Sequence, residues 1–153
     1  MAPFYSFTDM LKRVIKERNP KHILEWGPGV STSVMLSAGS GEIDSVEHDL
    51  GWYDRAVDQY KDEPRVHLHY CPDLEQYPKL PATLNKCYGL VFVDGLCDLR
   101  VACLHEAVHL LEDGGYVVLH DSEREKYNPG RAHYHTVIEY EGTALMVLRD
   151  GEG

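Results

Sequence analysis

Short apolar strands alternate with amphipathic helices along most of this 153-residue chain, and this alternation restricts its fold more than any other feature. Apolar residues recur at three- and four-residue spacing in the helices, for example over residues 7–18 and 99–111. Continuous apolar runs, such as residues 88–94, are typical of strands that are buried on both faces. The pattern therefore predicts an α/β fold built on a mostly parallel sheet.

The predicted elements follow one another in a single series without a linker. Strands are expected over residues 22–25, 43–49, 65–70, 88–94, 116–121, 135–140 and 143–149. Helices are expected over residues 7–18, 32–38, 51–61 and 99–111, with a short one from about Ala82 in the loop 71–86. Glu141-Gly142 predicts a tight hairpin, which places an antiparallel strand at one side of the sheet. One domain spanning residues 1–153 is expected from the length.

Acidic residues outnumber basic residues by 25 to 15, which gives a net charge of −10. Such a charge repels phosphate backbones and anionic lipids. No apolar run approaches the roughly 20 residues of a membrane span, and residues 1–6 do not have the pattern of a secretory signal. We therefore expect a cytoplasmic protein that binds neither nucleic acid nor membranes. Its four cysteines form no C-x-x-C pair and are expected to be reduced, mostly buried and free of metal.

A glycine turn follows the first predicted strand, in the run Glu25-Trp26-Gly27-Pro28-Gly29. Ligands of open α/β sheets bind at the carboxyl ends of the strands. The two glycines allow a tight turn and a close backbone approach, and the next helix directs its free amides at an anionic group. Glu47 ends the second strand 20 residues after Gly27, the spacing at which an acid can accept both hydroxyls of a ribose.

Four segments resemble, in the expected order, the motifs of the class I (Rossmann-like) methyltransferases that use S-adenosylmethionine: ILEWGPGVST, IDSVEHD with Trp52-Tyr53, LVFVDG with Arg100, and LLEDGGYVVLHDSER. The first is similar to the motif E/D-x-G-x-G-x-G, with Ser31 at the third glycine position. The closing hairpin resembles the antiparallel sixth and seventh strands of this superfamily. The resemblance implies a single-domain methyltransferase, although a full helix between the fifth and sixth strands is missing.

The resemblance also implies a set of site residues. Glu25 and Gly27 would line the methionine end of S-adenosylmethionine, and Ser31 would cap the helix beside it. The rest of the ligand would be held by Gly29 beneath the nucleoside, Glu47 on the ribose, His48 beside the adenine, Asp73 at the adenine amino group, and Asp94 near the ammonium and sulfonium.

The predicted reaction moves the methyl group to an oxygen or nitrogen of a small-molecule acceptor. Such a displacement needs a deprotonated or readily deprotonated nucleophile, so the candidate bases and orienting groups are Asp94, His120, Asp121 and His133. The substrate lid is expected from the first helix, from residues 122–135 or from a partner subunit in a homodimer.

Three other functions stay open at this point. The chain could bind or cleave S-adenosylmethionine without methyl transfer. Asp94 and Asp121, 27 residues apart, resemble the metal site of catechol-type O-methyltransferases, but Ser122 stands where an asparagine is expected, so we predict no bound metal. His105-Glu106-Ala107-Val108-His109 matches the zinc-protease signature H-E-x-x-H. We expect that match to be accidental, because it lies on a helix that must pack against the sheet and no third ligand follows.

Overall fold

Seven strands form one sheet in the computed structural model, which describes residues 6–152. They are β1 (His22–Trp26), β2 (Glu42–Glu47), β3 (Val66–Tyr70), β4 (Tyr88–Val93), β5 (Leu111–His120), β6 (Tyr134–Tyr140) and β7 (Thr143–Leu148). Their order is β3-β2-β1-β4-β5-β7-β6. The first five strands are parallel, and β7 runs antiparallel to both β5 and β6. The predicted α/β fold with an antiparallel hairpin is confirmed.

Helices cover both faces of this sheet. Within residues 6–152 the α-helices are α1 (Phe7–Arg18), α2 (Val30–Ala38), α3 (Leu50–Gln59), α4 (Arg100–Ala107) and α5 (Asn128–Arg131). Short 3-10 helices span Leu80–Leu84, Cys97–Leu99 and Glu125–Tyr127. The first helix has the predicted bounds, because Ser6 Oγ accepts a hydrogen bond from Asp9 N at its start and Asn19 adopts a left-handed conformation at its end.

Two apolar layers hold the helices to the sheet. Successive strand residues point to opposite faces, so Ile23 belongs to one layer and Leu24 to the other. The layer beneath α1 and α2 contains Met10, Leu11, Val14, Ile15, Met35, Leu90 and Phe92. The layer beneath α4 contains Trp26, Val91, Val93, Cys103, Leu104 and Val117. The central strands are therefore buried on both faces, as their continuous apolar runs predict.

Two predicted boundaries around α4 are wrong. The helix ends at Ala107 rather than at residue 111, and β5 begins at Leu111 rather than at Tyr116. Tyr88 pairs with Leu111 and Leu90 pairs with Tyr116, so residues 112–115 form a bulge. Gly114, with φ +76°, permits the left-handed backbone that this bulge needs, and the Gly114-Gly115 pair is therefore part of a strand.

Smaller differences occur elsewhere. The helix after the glycine turn begins at Val30, two residues before the predicted start at residue 32. The short helix expected from about Ala82 is the 3-10 helix Leu80–Leu84. All four cysteines are free, but only Cys71 and Cys103 are buried, so the prediction of mostly buried cysteines holds for half of them.

Residues 121–133 connect β5 to β6 and pack against α4. Tyr127 is buried in the layer beneath α4, and Gly130 packs closely against Leu104. β6 then begins at Tyr134, which pairs with Leu148, whereas His120 at the end of β5 pairs with Thr143. The connection therefore leads from the carboxyl edge of the parallel strands to the opposite edge. Only its first residues can contribute to a lid.

None of the helices in residues 6–152 combines the length and the apolar character that a membrane crossing requires.

Candidate active site

A cleft of about 520 Å³ opens at the carboxyl ends of β1, β2 and β4. The sheet order reverses here, because β1 lies between β2 and β4. Ligands of open α/β sheets bind at this reversal, and the volume is within the range of small-molecule sites. Six of the predicted site residues line the cleft: Gly27, Gly29, Ser31, Glu47, His48 and Asp94.

The two glycines of the turn occupy their positions for different physical reasons. Gly27 has φ +94°, and a Cβ atom there would lie 2.8 Å from the carbonyl oxygen of Asp94. The fold therefore requires a glycine at this position. Gly29 has φ 171°, which is outside the left-handed region, and a Cβ atom there would meet no atom within 4 Å. The fold does not require a glycine at this second position. The missing side chain of Gly29 leaves open space on the cleft wall.

The N-terminus of α2 lies at the cleft beside this space. Gly29 is its N-cap residue, and Ser31 in its first turn lines the cleft. The first amides of a helix carry partial positive charge and favour an anionic group such as a carboxylate. This end of the cleft can therefore hold the negative part of a ligand.

Glu25 lies beneath the cleft and does not line it. The side chain is fully buried, and its carboxylate accepts hydrogen bonds from the hydroxyls of Ser31 (2.7 Å), Ser45 (2.5 Å) and Thr32. Burial raises the pKa of the Glu25 carboxyl to about 7, although the three hydroxyl donors oppose that shift. Glu25 therefore fastens β1 and β2 to the start of α2, and it would act on a ligand through Ser31.

The Glu47 side chain lines the cleft at the end of β2. Its Oε2 atom accepts hydrogen bonds from the backbone amides of His48 (2.8 Å) and Asp49 (2.9 Å), which fix the side chain. Its Oε1 atom has no hydrogen-bond partner within residues 6–152. The His48 ring lines the cleft next to it, with Nδ1 3.0 Å from Oε2. The predicted acid is thus held in place with an acceptor available to ligand hydroxyls.

A buried guanidinium joins the ends of β4 and β5. Arg100 is 5% exposed, and its Nη2 atom lies 3.3 Å from Asp94 Oδ1 while Nη1 lies 3.7 Å from Asp121 Oδ2. It also donates hydrogen bonds to the carbonyls of Gly95 (3.0 Å) and His120 (2.8 Å). Burial raises the pKa of Asp94; His120 and Arg100 oppose this shift, and Asp121 adds to it.

His120 and Asp121 complete this group at the end of β5. The His120 ring packs against Phe7 with 4.8 Å between ring centroids, and its Nε2 atom lies 3.9 Å from Asp121 Oδ1. Asp121 adopts a left-handed backbone with φ 52° and also lies 3.7 Å from Arg124. Three of the four predicted catalytic candidates, Asp94, His120 and Asp121, are therefore brought together.

Two predicted site residues lie elsewhere. His133 is at the opposite edge of the sheet, where its Nε2 atom lies 2.5 Å from His105 Nδ1 and its Nδ1 atom 3.3 Å from Glu152. Asp73 is outside the cleft wall, and its carboxylate accepts a hydrogen bond from the backbone amide of Glu75 (3.0 Å). Neither side chain lines the cleft, which differs from the predicted site.

The zinc-protease pattern gains no support from its surroundings. α4 ends at Ala107, so His109 lies in the following turn and not on the same helix as His105. His105 faces His133, as described above. Among residues 6–152, no three His, Cys, Asp or Glu side chains are grouped as metal ligands. A catalytic zinc site needs three protein ligands.

Several cleft residues are absent from the predicted set of site residues, namely Phe7, Trp52, Tyr77 and Leu96. Trp52 is 59% exposed and follows the α3 cap, where Asp49 accepts a hydrogen bond from the Trp52 amide (2.9 Å). A large exposed aromatic five residues after the ribose acid is a signal that could have been used. Phe7 and Leu96 reach the cleft only through tertiary packing.

The reversed strand order, the antiparallel β7, the glycine turn after β1 and the acid that ends β2 together define a class I S-adenosylmethionine-dependent methyltransferase. Residues 24–122 match the family model described as a methyltransferase domain, and the chain belongs to this family. S-adenosylmethionine is accordingly its cofactor. No curated protein sequence is significantly similar to the chain.

Solved methyltransferase structures share the fold. The chain is similar to the S-adenosylhomocysteine-bound methyltransferase PaMTH1 of Podospora anserina, with a TM-score of 0.73 and 17% identity over 97% of this chain and 80% of that one. A methyltransferase-like protein of Silicibacter pomeroyi matches with a TM-score of 0.79 and 16% identity, over 97% of this chain and 88% of that one. The O-methyltransferase TomG of Streptomyces achromogenes, solved with S-adenosylmethionine, matches with a TM-score of 0.73 and 16% identity, over 96% of this chain and 81% of that one.

Proposed function

We propose that this methyltransferase binds S-adenosylmethionine in the cleft at the sheet reversal and methylates an oxygen or nitrogen of a small-molecule acceptor. The observation that carries the proposal is the arrangement of charge around one cleft. The start of α2 lines one side of the cleft, the Glu47 carboxylate ends β2, and the Asp94 carboxylate follows β4. A ligand with one carboxylate, two cationic groups and a ribose matches this arrangement.

The residues present fit S-adenosylmethionine. The open space at Gly29 leaves room for the ligand where the fold itself needs no glycine. Ser31 and the α2 amides would hold the ligand carboxylate, Asp94 its cationic groups, and Glu47 Oε1 its ribose hydroxyls. When bound, S-adenosylmethionine would supply a methyl group attached to a positively charged sulfur. Once the methyl group is transferred to the acceptor, the sulfur is left as a neutral thioether.

The acceptor would enter beside Phe7 and Leu96, near the group formed by Asp94, His120 and Asp121. Arg100 fixes the position of Asp94, so this carboxylate can orient the acceptor without moving. His120 can take the proton from an acceptor hydroxyl or amine in its neutral form. Positioning of the acceptor supplies most of the catalysis, because a displacement of this kind needs near-attack geometry. TomG, which shares the fold, is described as an O-methyltransferase involved in tomaymycin synthesis, and this supports a small-molecule acceptor.

The Asp94–Asp121 pair does not fit a catechol-type metal centre. The Arg100 guanidinium contacts both carboxylates, so a cation already bridges the two strand ends. A divalent ion between them would face that positive charge. We therefore assign the pair to orientation of the acceptor.

Mass spectrometry of the reaction products tests this function. The protein is incubated with S-adenosylmethionine alone and then with phenols, catechols, carboxylic acids and amines. The expected result is S-adenosylhomocysteine together with a methylated acceptor. Asp94→Asn is expected to lower the rate of methyl transfer. Methylthioadenosine formed from S-adenosylmethionine alone would identify a cleaving enzyme instead. The homodimer, the cytoplasmic location and the lack of nucleic-acid binding stay predictions.

A further inference from the structure

The Tyr77 hydroxyl is a buried polar group without a partner at the floor of the cleft. The residue is 0% exposed and lines the cleft, and its hydroxyl makes no hydrogen bond within residues 6–152. The ring meets the His48 ring edge-on, with 5.9 Å between centroids. The hydroxyl lies directly beneath Gly95, where a Cβ atom would collide with it.

Three other buried or partly buried tyrosines satisfy their hydroxyls, whereas the buried Tyr127, which does not line the cleft, also leaves its hydroxyl without a partner among residues 6–152. Tyr88 donates to Asp44 (2.8 Å), Tyr134 to the Leu104 carbonyl (2.5 Å) and Tyr60 to the Gly29 carbonyl (3.1 Å). A buried hydroxyl without a partner costs stability and is rare in folded proteins. Its position at the cleft indicates that a ligand supplies the missing partner.

The local structure fixes the Tyr77 side chain in this place. The Asp73 carbonyl accepts a hydrogen bond from the Tyr77 amide (3.0 Å), and Trp26 Nε1 donates to the Tyr77 carbonyl (3.1 Å). The turn that begins at Asp73 therefore carries the phenol to the cleft. Burial also raises the pKa of the phenol, so the hydroxyl keeps its proton and can both donate and accept.

We propose that Tyr77 binds the purine base of S-adenosylmethionine through its hydroxyl. The inference rests on the proposed function, in which Glu47 holds the ribose and the α2 terminus and Asp94 hold the amino-acid end. The base must then extend from Glu47 toward His48 and Tyr77. A purine edge offers ring nitrogens that accept and an amino group that donates, and a hydroxyl can pair with either. Tyr77 would thus contact the base for which the resemblance implied Asp73.

Calorimetry with S-adenosylhomocysteine and with adenosine tests the inference. Tyr77→Phe is expected to raise the Kd of both ligands about 3- to 10-fold, the effect of losing one hydrogen bond. The thermal midpoint of the ligand-free variant should be unchanged or higher, because the substitution removes an unsatisfied hydroxyl. Tyr134→Phe is the matched control: it removes a satisfied hydroxyl remote from the cleft, so it should lower the ligand-free midpoint and leave both Kd values unchanged.

The outcomes separate this inference from the proposed function. If the parent protein binds neither ligand, the proposed function is wrong and Tyr77 loses its role with it. If the parent binds and Tyr77→Phe binds equally well, only the Tyr77 assignment is overturned. If Tyr77→Phe raises the Kd for S-adenosylhomocysteine but leaves the Kd for adenosine unchanged, the proposed contact with the purine is overturned.

Discussion

Replacing Glu25 with glutamine is expected to change how the free energy of unfolding depends on pH. Burial raises the pKa of this carboxyl from 4.5 to about 7, so the folded state holds the proton more tightly than the unfolded chain. The stability contributed by the protonated carboxyl is complete below pH 4.5 and is lost as the pH rises through about 7. At about 1.4 kcal/mol for each pH unit, the difference amounts to about 3 kcal/mol.

Urea unfolding of the parent and Glu25→Gln at pH values from 4.5 to 8 measures this effect. Glutamine keeps the size of the side chain, and the other titrating groups cancel in the difference between the two proteins. Relative to Glu25→Gln, the parent should lose about 3 kcal/mol over this range. Glu63→Gln, on the exposed surface, is the control, because it makes the same chemical change without altering a buried carboxyl. A difference that stays constant for Glu25→Gln, or a parent that gains stability as the pH rises, would refute the reasoning.

Three further predictions concern the cleft and its surroundings. Gly27→Ala should cost about 1–3 kcal/mol in urea unfolding, because its Cβ atom meets the Asp94 carbonyl, whereas Gly29→Ala should unfold like the parent and bind S-adenosylmethionine more weakly in calorimetry. Equal stability losses would contradict this distinction. Methyl transfer should survive excess chelator, and loss of activity that added magnesium restores would contradict the metal-free site. His105→Ala with His109→Ala should leave S-adenosylmethionine binding intact in calorimetry, and a stoichiometric zinc that disappears from this variant in metal analysis would reverse that interpretation.

The strand pattern and the strand ends were predictable from the sequence because they depend on local signals. Apolar runs of five or six residues identify the central strands, and parallel strands bring their carboxyl ends to one edge. Gly27 and Asp94 follow two such strands and Glu47 ends a third, so the three residues had to lie close together. The glycine turn and the acid spacing then indicated a nucleoside ligand.

The remaining parts of the site depend on contacts between distant segments. His133 was assigned to the cleft because the segment before it was expected to fold over the ligand, but that segment packs along α4 through Tyr127 and Gly130. Arg100 bridges two strand ends that only the folded sheet brings together. Tyr77 lies in a proline-interrupted loop without periodicity, so no pattern could place its side chain.

Binding of S-adenosylmethionine to the parent and to Glu47 variants tests the central claim most directly. Calorimetry should give one ligand per chain for the parent, and Glu47→Ala should weaken binding by about 1.5–3 kcal/mol, the effect of removing a charged hydrogen-bond partner. Glu47→Gln, which keeps an oxygen for the amides of His48 and Asp49, separates loss of the ligand contact from loss of local structure. It should bind more tightly than Glu47→Ala and more weakly than the parent. No heat with the parent, or equal affinity in all three proteins, would contradict the account.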